Sequence, residues 1–280
     1  MTLLLLSNST APGRGYLEHA LDAILEVLDG RTSLVFVPFA LADHAAYTET
    51  VRRTLEPIGI EVTGAHEGRP RDAVDRATAV FVGGGNTFRL VKALHELDLI
   101  DALRAKVRDG MPYIGSSAGT NVAAPSLRTT NDMPIVQPPS FETLGLVPFQ
   151  INPHYLDPDP DSLHQGETRQ ERLTQFLEEN DVPVIGLREG TWLCVSRDGA
   201  VELGGDTAGA RVFRRGVDPL ELSSGTDVTW LTGVKATFDV PLSVPGVSTP
   251  GSPAMVPHGD PCVTVPPGTP AEGPSGPRDH

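Results

Sequence analysis

Cysteine is scarce in this sequence, and its scarcity excludes whole classes of protein. Only two cysteines occur among the 280 residues, Cys194 and Cys262, and neither belongs to a C-x-x-C pair. A disulfide framework or a structural zinc site needs several closely spaced cysteines. We therefore expect neither, and no bound metal.

Positive charge is also in short supply. The chain has 22 lysines and arginines against 36 aspartates and glutamates, which gives a formal net charge of -14. A surface this acidic repels the phosphate backbone of DNA and RNA. Nucleic acid is therefore not an expected partner.

Long apolar runs are missing as well. The N-terminus, MTLLLLSNST, contains four leucines but neither a basic segment before them nor an extended hydrophobic stretch. A secretory signal needs both features, and a membrane-spanning helix needs about 20 apolar residues. The sequence predicts no contact with a membrane, and the cytoplasm is the expected location.

What the chain does contain is an alternation of short buried strands and helical segments. Runs such as TLLLLS, SLVFVPF, TAVFVGGG and MPYIG are almost continuously apolar, and amphipathic stretches separate them. Continuous apolar strands are typical of a parallel sheet that helices cover on both faces. We predict a doubly wound α/β domain with a mostly parallel sheet, spanning residues 1–233.

The composition changes from Val234 onward. Residues 241–280 contain 11 prolines and 6 glycines and show little hydrophobic periodicity. Such a segment cannot bury enough apolar surface to offset the entropy lost on ordering. Residues 234–280 are predicted to form a disordered Pro/Gly-rich tail.

The stretch YIGSSAGTN contains the pattern G-x-S-x-G between Gly115 and Gly119. A predicted strand precedes it and a predicted helix, from Ala118 to Ala124, follows. A sharp strand-to-helix turn of this kind exposes the central serine at the edge of the sheet, and the helix N-terminus offers free N–H groups to an oxyanion. Ser117 occupies the centre of the pattern and is the candidate nucleophile, whereas Ser116 occupies the variable position.

A second glycine loop follows another buried strand, in VFVGGGNTF. Glycines there would let the backbone approach a ligand closely. The dinucleotide-binding pattern G-x-G-x-x-G fails because Phe88 stands where its third glycine belongs, and no G-K-[ST] motif is present. We therefore expect no nucleotide cofactor.

A serine nucleophile needs a base, and two of the eight histidines are suitably placed. His154 follows a proline directly after the apolar run LVPFQI, a position that suits a rigid loop at a strand end. His164 lies further along the same loop region. The sequence favours His154 but leaves His164 open.

Seven stretches taken together resemble the peptidase E, or α-aspartyl dipeptidase, group of serine peptidase family S51. They occur in order between residue 1 and about residue 215: LLLLSNST, VGGGNTF, YIGSSAGTN, RTTNDMPI, INPHYL, GETRQER and GLREGTW. The resemblance implies a fold like that of the class I glutamine amidotransferases. It also implies removal of an N-terminal aspartate from Asp-X dipeptides without a cofactor or metal.

The resemblance also implies roles for individual residues. Ser117 corresponds to the nucleophile, His154 to the general base and Glu189 to the acidic third member of a triad. Asp132, in TTNDMP, is the competing candidate for orienting the histidine, and it would restore the usual acid-before-histidine order of α/β-hydrolases. Sequence alone leaves this choice open, with the family match favouring Glu189.

The oxyanion hole and the substrate pocket can be assigned in the same way. The backbone N–H groups of Gly85 and Ala118 match the oxyanion hole. A small acidic dipeptide requires cationic or amide donors, and arginine is the best carboxylate ligand because its planar fork binds in a bidentate manner. The candidate substrate-binding residues are Asn86, Thr87, Arg128 and Arg169.

Two other functions use the same motifs. A relative that cleaves β-aspartyl links in cyanophycin-like polymers would share the serine turn but would need acidic groups for an arginine side chain. A non-catalytic binding module on the same fold would not need the serine, histidine and glutamate. The sequence does not decide between a monomer and a homodimer.

Overall fold

The apolar run Leu3–Leu6 forms β1, a central strand of a seven-stranded sheet. The computed structural model describes residues 1–11, 13–159, 161 and 166–241. The strands are β1 Leu3–Leu6, β2 Ser33–Val37, β3 Glu61–Gly64, β4 Val80–Val82, β5 Tyr113–Ser116, β6 Gln150–Asn152, β7 Val184–Leu187, β8 Thr191–Val195, β9 Val201–Gly205, β10 Ala210–Arg214 and β11 Val217–Leu222. The helices are α1 Leu21–Leu28, α2 His44–Leu55, α3 Pro70–Arg76, α4 Thr87–Glu96, α5 Leu99–Arg108, α6 Ala118–Asn121 and α7 Arg169–Glu179.

The large sheet has the strand order β3-β2-β4-β5-β1-β8-β9. Its first five strands are parallel, and β8 and β9 add an antiparallel edge. All four side chains of β1 are fully buried. The predicted mostly parallel sheet is confirmed.

Successive side chains of β1 point to opposite faces of the sheet and enter two different cores. Leu3 and Leu5 pack in a core that also contains side chains of α3, α4 and α5. Leu4 and Leu6 pack in a second core with side chains of α1 and α2. Each buried leucine stabilises the fold by about 1.5–3 kcal/mol relative to an exposed one. Helices therefore cover both faces, as the continuous apolar runs predict.

A second sheet of four strands, in the order β11-β10-β7-β6, was not predicted. Only β6 and β7 are parallel in it. Ile151 of β6 and Ile185 of β7 join the same core as Leu3 and Leu5. This sheet therefore shares a core with the large sheet, and it carries the loops that follow β6 and β7.

Several predicted boundaries differ from the structure. The amphipathic stretch from Thr87 to Gly110 forms two helices rather than one, because Asp98 adopts a left-handed backbone conformation (φ 54°) between them. The helix after the serine turn ends at Asn121 rather than Ala124. Among the described residues, no helix combines the length and hydropathy that crossing a bilayer requires.

The structured chain continues past residue 233, where the tail was predicted to begin. Thr237 exchanges two backbone hydrogen bonds with Asp181, and the Val240 N–H donates to the Glu179 carbonyl. Residues 234–241 therefore pack against the end of α7. The predicted disorder of residues 242–280 lies outside the described residues and stays a prediction.

Candidate active site

Ser117 occupies a sharp turn between β5 and α6. Its backbone has φ 53° and ψ -109°, a region that costs a non-glycine residue about 1–3 kcal/mol. The Ser117 N–H donates to the Leu6 carbonyl over 3.1 Å, which ties the turn to the end of β1. This strained turn leaves Ser117 partly exposed while Ser116 is fully buried.

The glycines of the motif allow this turn to pack closely. A Cβ at Gly119 would lie 2.0 Å from the Val82 carbonyl oxygen, so no larger residue fits there. A Cβ at Gly84 would lie 3.0 Å from the Ser117 Cβ. The glycine loop after β4 can therefore lie directly against the serine turn.

His154 and Glu189 extend from Ser117 in a hydrogen-bonded chain. The His154 Nε2 lies 2.9 Å from the Ser117 Oγ, and the His154 Nδ1 lies 2.7 Å from the Glu189 Oε1. An ionised carboxylate only accepts hydrogen bonds, so Nδ1 carries the ring hydrogen. Nε2 is then free to accept the proton of the Ser117 hydroxyl. The imidazole side chain is 35% exposed and that of Glu189 42%, so solvent reaches both.

Asp132 has different partners. Its Oδ2 accepts hydrogen bonds from the Thr87 N–H at 2.7 Å, the Thr87 hydroxyl at 2.6 Å and the Thr130 hydroxyl at 3.1 Å. These contacts hold the carboxylate at the N-terminus of α4, where the helix dipole favours negative charge. The carboxylate hydrogen-bonded to His154 is that of Glu189, not that of Asp132.

Two backbone N–H groups near Ser117 are available to a ligand. The N–H groups of Gly85 and Ala118 donate to no acceptor among the described residues. The neighbouring Gly84 N–H, by contrast, donates to the Tyr47 hydroxyl over 2.8 Å. Gly85 has φ 131°, a conformation that favours glycine. These free donors suit the predicted oxyanion hole.

A cavity of about 230 Å³ opens beside Ser117 and His154. Its lining consists of Thr87, Ser117, Ala118, Thr130, Asn131, Asp132, Pro153, His154 and Arg169. This volume is below the 300–1,000 Å³ that is common for ligand pockets, so it suits a small ligand.

Arg169 is the cation of this cavity. No carboxylate of the described residues lies within 4.0 Å of its guanidinium. Burial lowers the pKa of Arg169, and the nearby Arg172 lowers it further, while Asp132 and Glu189 oppose both effects. A guanidinium nevertheless remains charged at neutral pH. Arg169 therefore offers a half-buried positive charge to a ligand.

The structure places two other predicted substrate ligands away from the cavity lining. Arg128 binds both carboxylate oxygens of Asp239, at 2.8 and 3.0 Å, and its guanidinium lies 5.4 Å from the centre of the Phe238 ring. Asn86 caps α4, since its Oδ1 accepts from the Arg89 N–H and its Nδ2 donates to the Met133 carbonyl. Both side chains are thus engaged in holding the fold, whereas Thr87 does line the cavity.

Sequence reasoning missed Asn131, which lines the cavity. Its Nδ2 donates to the Pro153 carbonyl over 2.7 Å and so links the loop of Asp132 to the residue before His154. The only signal was its position in RTTNDMPI. The other candidate base, His164, lies outside the described residues.

The described residues contain no group of three or more histidine, cysteine, aspartate or glutamate side chains arranged to hold a metal ion. The expected absence of a metal and of a cofactor stays a prediction.

The fold and the site together define a class of protein: a doubly wound α/β domain with a serine, histidine and glutamate in contact at the sheet edge. The chain belongs to peptidase family S51, whose family model matches residues 3–203. It is 65% identical over 240 residues to Peptidase E of Streptomyces coelicolor, a match that covers 85% of this chain and 98% of that protein.

One further relative and one solved structure are also similar to the chain. A probable alpha-aspartyl dipeptidase of Drosophila melanogaster is 50% identical over 233 residues, covering 82% of this chain and 96% of that protein. The crystal structure of a putative Peptidase E protein from Listeria monocytogenes superposes with a TM-score of 0.56 at 20% identity, over 73% of this chain and 98% of that chain. That structural likeness supports the fold, and the sequence matches establish the family.

Proposed function

We propose that this protein is a serine dipeptidase that hydrolyses Asp-X dipeptides. The observation that carries the proposal is the chain of contacts from Ser117 through His154 to Glu189, opening on a small cavity that contains Arg169. The names of the relatives, Peptidase E and probable alpha-aspartyl dipeptidase, point the same way.

In the first half of the reaction, the Ser117 Oγ attacks the carbonyl carbon of the scissile peptide bond. Its proton passes to the His154 Nε2, and the Glu189 carboxylate stabilises the resulting imidazolium. The carbonyl oxygen becomes an oxyanion, to which the free N–H groups of Gly85 and Ala118 can donate.

The following steps release the two products. His154 gives its proton to the leaving amine, the C–N bond breaks, and an ester remains on Ser117. A water molecule then loses a proton to His154 and attacks the ester carbon. The bond from that carbon to the Ser117 Oγ breaks, and His154 gives the proton to the departing Oγ. The products are free aspartate and the second amino acid.

The charges of the cavity account for the proposed substrate. Arg169 can bind the aspartate side chain of the substrate in a bidentate manner. Asp132 uses only Oδ2 in its bonds to Thr87 and Thr130, so its Oδ1 can accept the free α-ammonium group. A substrate with an N-terminal aspartate would satisfy both charges, despite the acidic surface of the whole protein.

The proposal is tested by hydrolysis of Asp-Leu, β-Asp-Leu, Glu-Leu and Ala-Leu by the purified full-length protein. We expect turnover of Asp-Leu well above that of the other three. Preference for β-Asp-Leu would instead indicate a β-aspartyl peptidase. Absence of turnover with all four, together with an unreactive Ser117, would favour a non-catalytic binding protein.

The two acidic residues of the site should affect different kinetic constants. Glu189→Gln keeps the shape of the side chain but removes the charge that stabilises the imidazolium, so we expect kcat for Asp-Leu to fall about 10²- to 10⁴-fold with little change in KM. Asp132→Asn is the matched comparison and should mainly raise KM, because it weakens binding of the substrate ammonium. Steady-state kinetics of both variants would measure this, and a larger loss of kcat in Asp132→Asn would contradict the assignment.

A further inference from the structure

Ser7, directly after β1, connects the segments that carry His154 and Glu189. Its hydroxyl donates a hydrogen bond to the Leu187 carbonyl over 2.8 Å. The same oxygen accepts a hydrogen bond from the His154 N–H over 2.9 Å. Ser7 is fully buried, so water does not replace either partner. One hydroxyl thus fixes the backbone of the proposed base and the end of the strand that leads to the proposed acid.

The neighbours of Ser7 contact the rest of the site in the same manner. The Leu6 carbonyl accepts from the Ser117 N–H over 3.1 Å. The Asn8 Oδ1 accepts from the N–H of Gly190, the residue after Glu189, over 2.8 Å. Three consecutive residues at the end of β1 therefore contact the backbone at or beside each of the three residues of the proposed triad.

This connection spans the two sheets of the molecule. Ser117 follows β5, which pairs with β1 in the large sheet. His154 and Glu189 follow β6 and β7, which pair with each other in the second sheet. The distance between the serine and histidine side chains therefore depends on how the second sheet is held on the first, and Ser7 lies at that junction.

His154 needs a fixed backbone for a further reason. Its φ of 54° lies in the left-handed region, which a non-glycine residue occupies only when its surroundings enforce it. Two hydrogen bonds hold this conformation. The His154 N–H donates to the Ser7 hydroxyl, and the Tyr155 N–H donates over 2.9 Å to the Leu187 carbonyl, which also accepts from Ser7. Without the Ser7 hydroxyl the first of these bonds is lost, and we expect the backbone of His154 to relax towards an ordinary conformation and the imidazole to turn away from Ser117.

We propose that Ser7 is a positioning residue of this site, which holds His154 within reach of the Ser117 hydroxyl and of Glu189. This inference rests on the proposed function, because it concerns the same three residues. Ser7 makes no hydrogen bond to Ser117 and does not line the cavity, so its effect acts through the backbone of His154 and the end of β7.

The test is Ser7→Ala, with kcat and KM for Asp-Leu measured over a range of pH. We expect kcat to fall about 10- to 100-fold, since a displacement of about 1 Å at a catalytic group costs a factor of this size, while KM stays unchanged. Ser7→Thr, which retains the hydroxyl, should recover most of the loss. Ser7→Cys has nearly the same shape but a weaker acceptor, so its kcat should lie between those of Ser7→Ala and Ser7→Thr.

A second readout needs no peptide. The rate at which an organophosphorus fluoride labels Ser117 depends on activation of the hydroxyl by His154, so labelling of Ser7→Ala should be slower than that of the wild type. If only the proposed substrate is wrong, Ser117 of the wild type will still be labelled. If Ser117 of the wild type is not labelled, both proposals fail.

The matched control is Thr143→Val. Thr143 is another fully buried hydroxyl, and it donates to the Ala124 carbonyl without touching the proposed triad. The substitution Thr143→Val should lower the thermal unfolding midpoint but leave kcat unchanged. Wild-type kcat and wild-type labelling in Ser7→Ala would overturn the inference, as would equal losses of kcat in Ser7→Ala and Thr143→Val. If Ser7→Ala proves unstable, the comparison of Ser7→Thr with Ser7→Cys decides in its place.

Discussion

Replacement of Ser117 by alanine is expected to lower kcat for Asp-Leu by about 10⁴-fold or more. The substitution removes the oxygen that forms the ester, while the oxyanion donors and the cavity remain. Circular dichroism and the thermal unfolding midpoint should show an intact fold. Alanine lacks the hydroxyl but has the same Cβ, so the contact of this turn with Gly84 is preserved.

The adjacent serine supplies the control. The Ser116 Oγ is buried and has no hydrogen-bond partner among the described residues. Ser116→Ala removes an unsatisfied polar atom, so activity should stay at the wild-type level and stability should not decrease. If instead Ser116→Ala abolished turnover and Ser117→Ala did not, the nucleophile would be Ser116.

Replacement of Arg169 by methionine should lower kcat/KM for Asp-Leu by about 10²- to 10³-fold. Arg169 is the cation that lines the cavity, and methionine keeps most of the apolar volume of the side chain without the charge. The weak turnover of Ala-Leu should be unaffected, since that substrate has no side-chain carboxylate. The ratio of kcat/KM for the two dipeptides therefore measures the contribution of Arg169 to specificity.

Arg172 is the control for this substitution because it lies on the same helix, one turn further on. It is 3.8 Å from Glu167 and is more than half exposed. Arg172→Met should leave the Asp-Leu to Ala-Leu ratio unchanged. An equal fall in kcat/KM for both dipeptides in Arg169→Met would indicate damage to the site as a whole. It would refute the role of Arg169 in binding the aspartate side chain.

The elements that the sequence predicted well are those with a strong local pattern. The strands of the parallel sheet are continuous apolar runs because both of their faces are buried, and this pattern is visible without any long-range information. Strands β10 and β11 were missed because they contain charged residues such as Arg211 and Glu221 and have no uninterrupted apolar run. β6 is only three residues long, and the sequence indicated it only through the apolar run LVPFQI before His154.

The site was predicted to the extent that its residues belong to local motifs. The serine turn and the glycine loop have patterns that follow from their own backbone geometry. Arg128 and Arg169 were both predicted as ligands, and no local pattern shows that Arg128 pairs with Asp239, 111 residues away. Ser7 was missed for the same reason, since its partner His154 is 147 residues distant.

The left-handed backbones of Ser117 and His154 bear on which variants a search for greater stability would recover. Both residues occupy conformations that glycine adopts without strain. Glycine at either position would relieve that strain and at the same time remove a side chain of the proposed mechanism. A selection for heat resistance alone would therefore tend to enrich inactive proteins, and thermostable variants of this chain should be sought with activity as a second criterion.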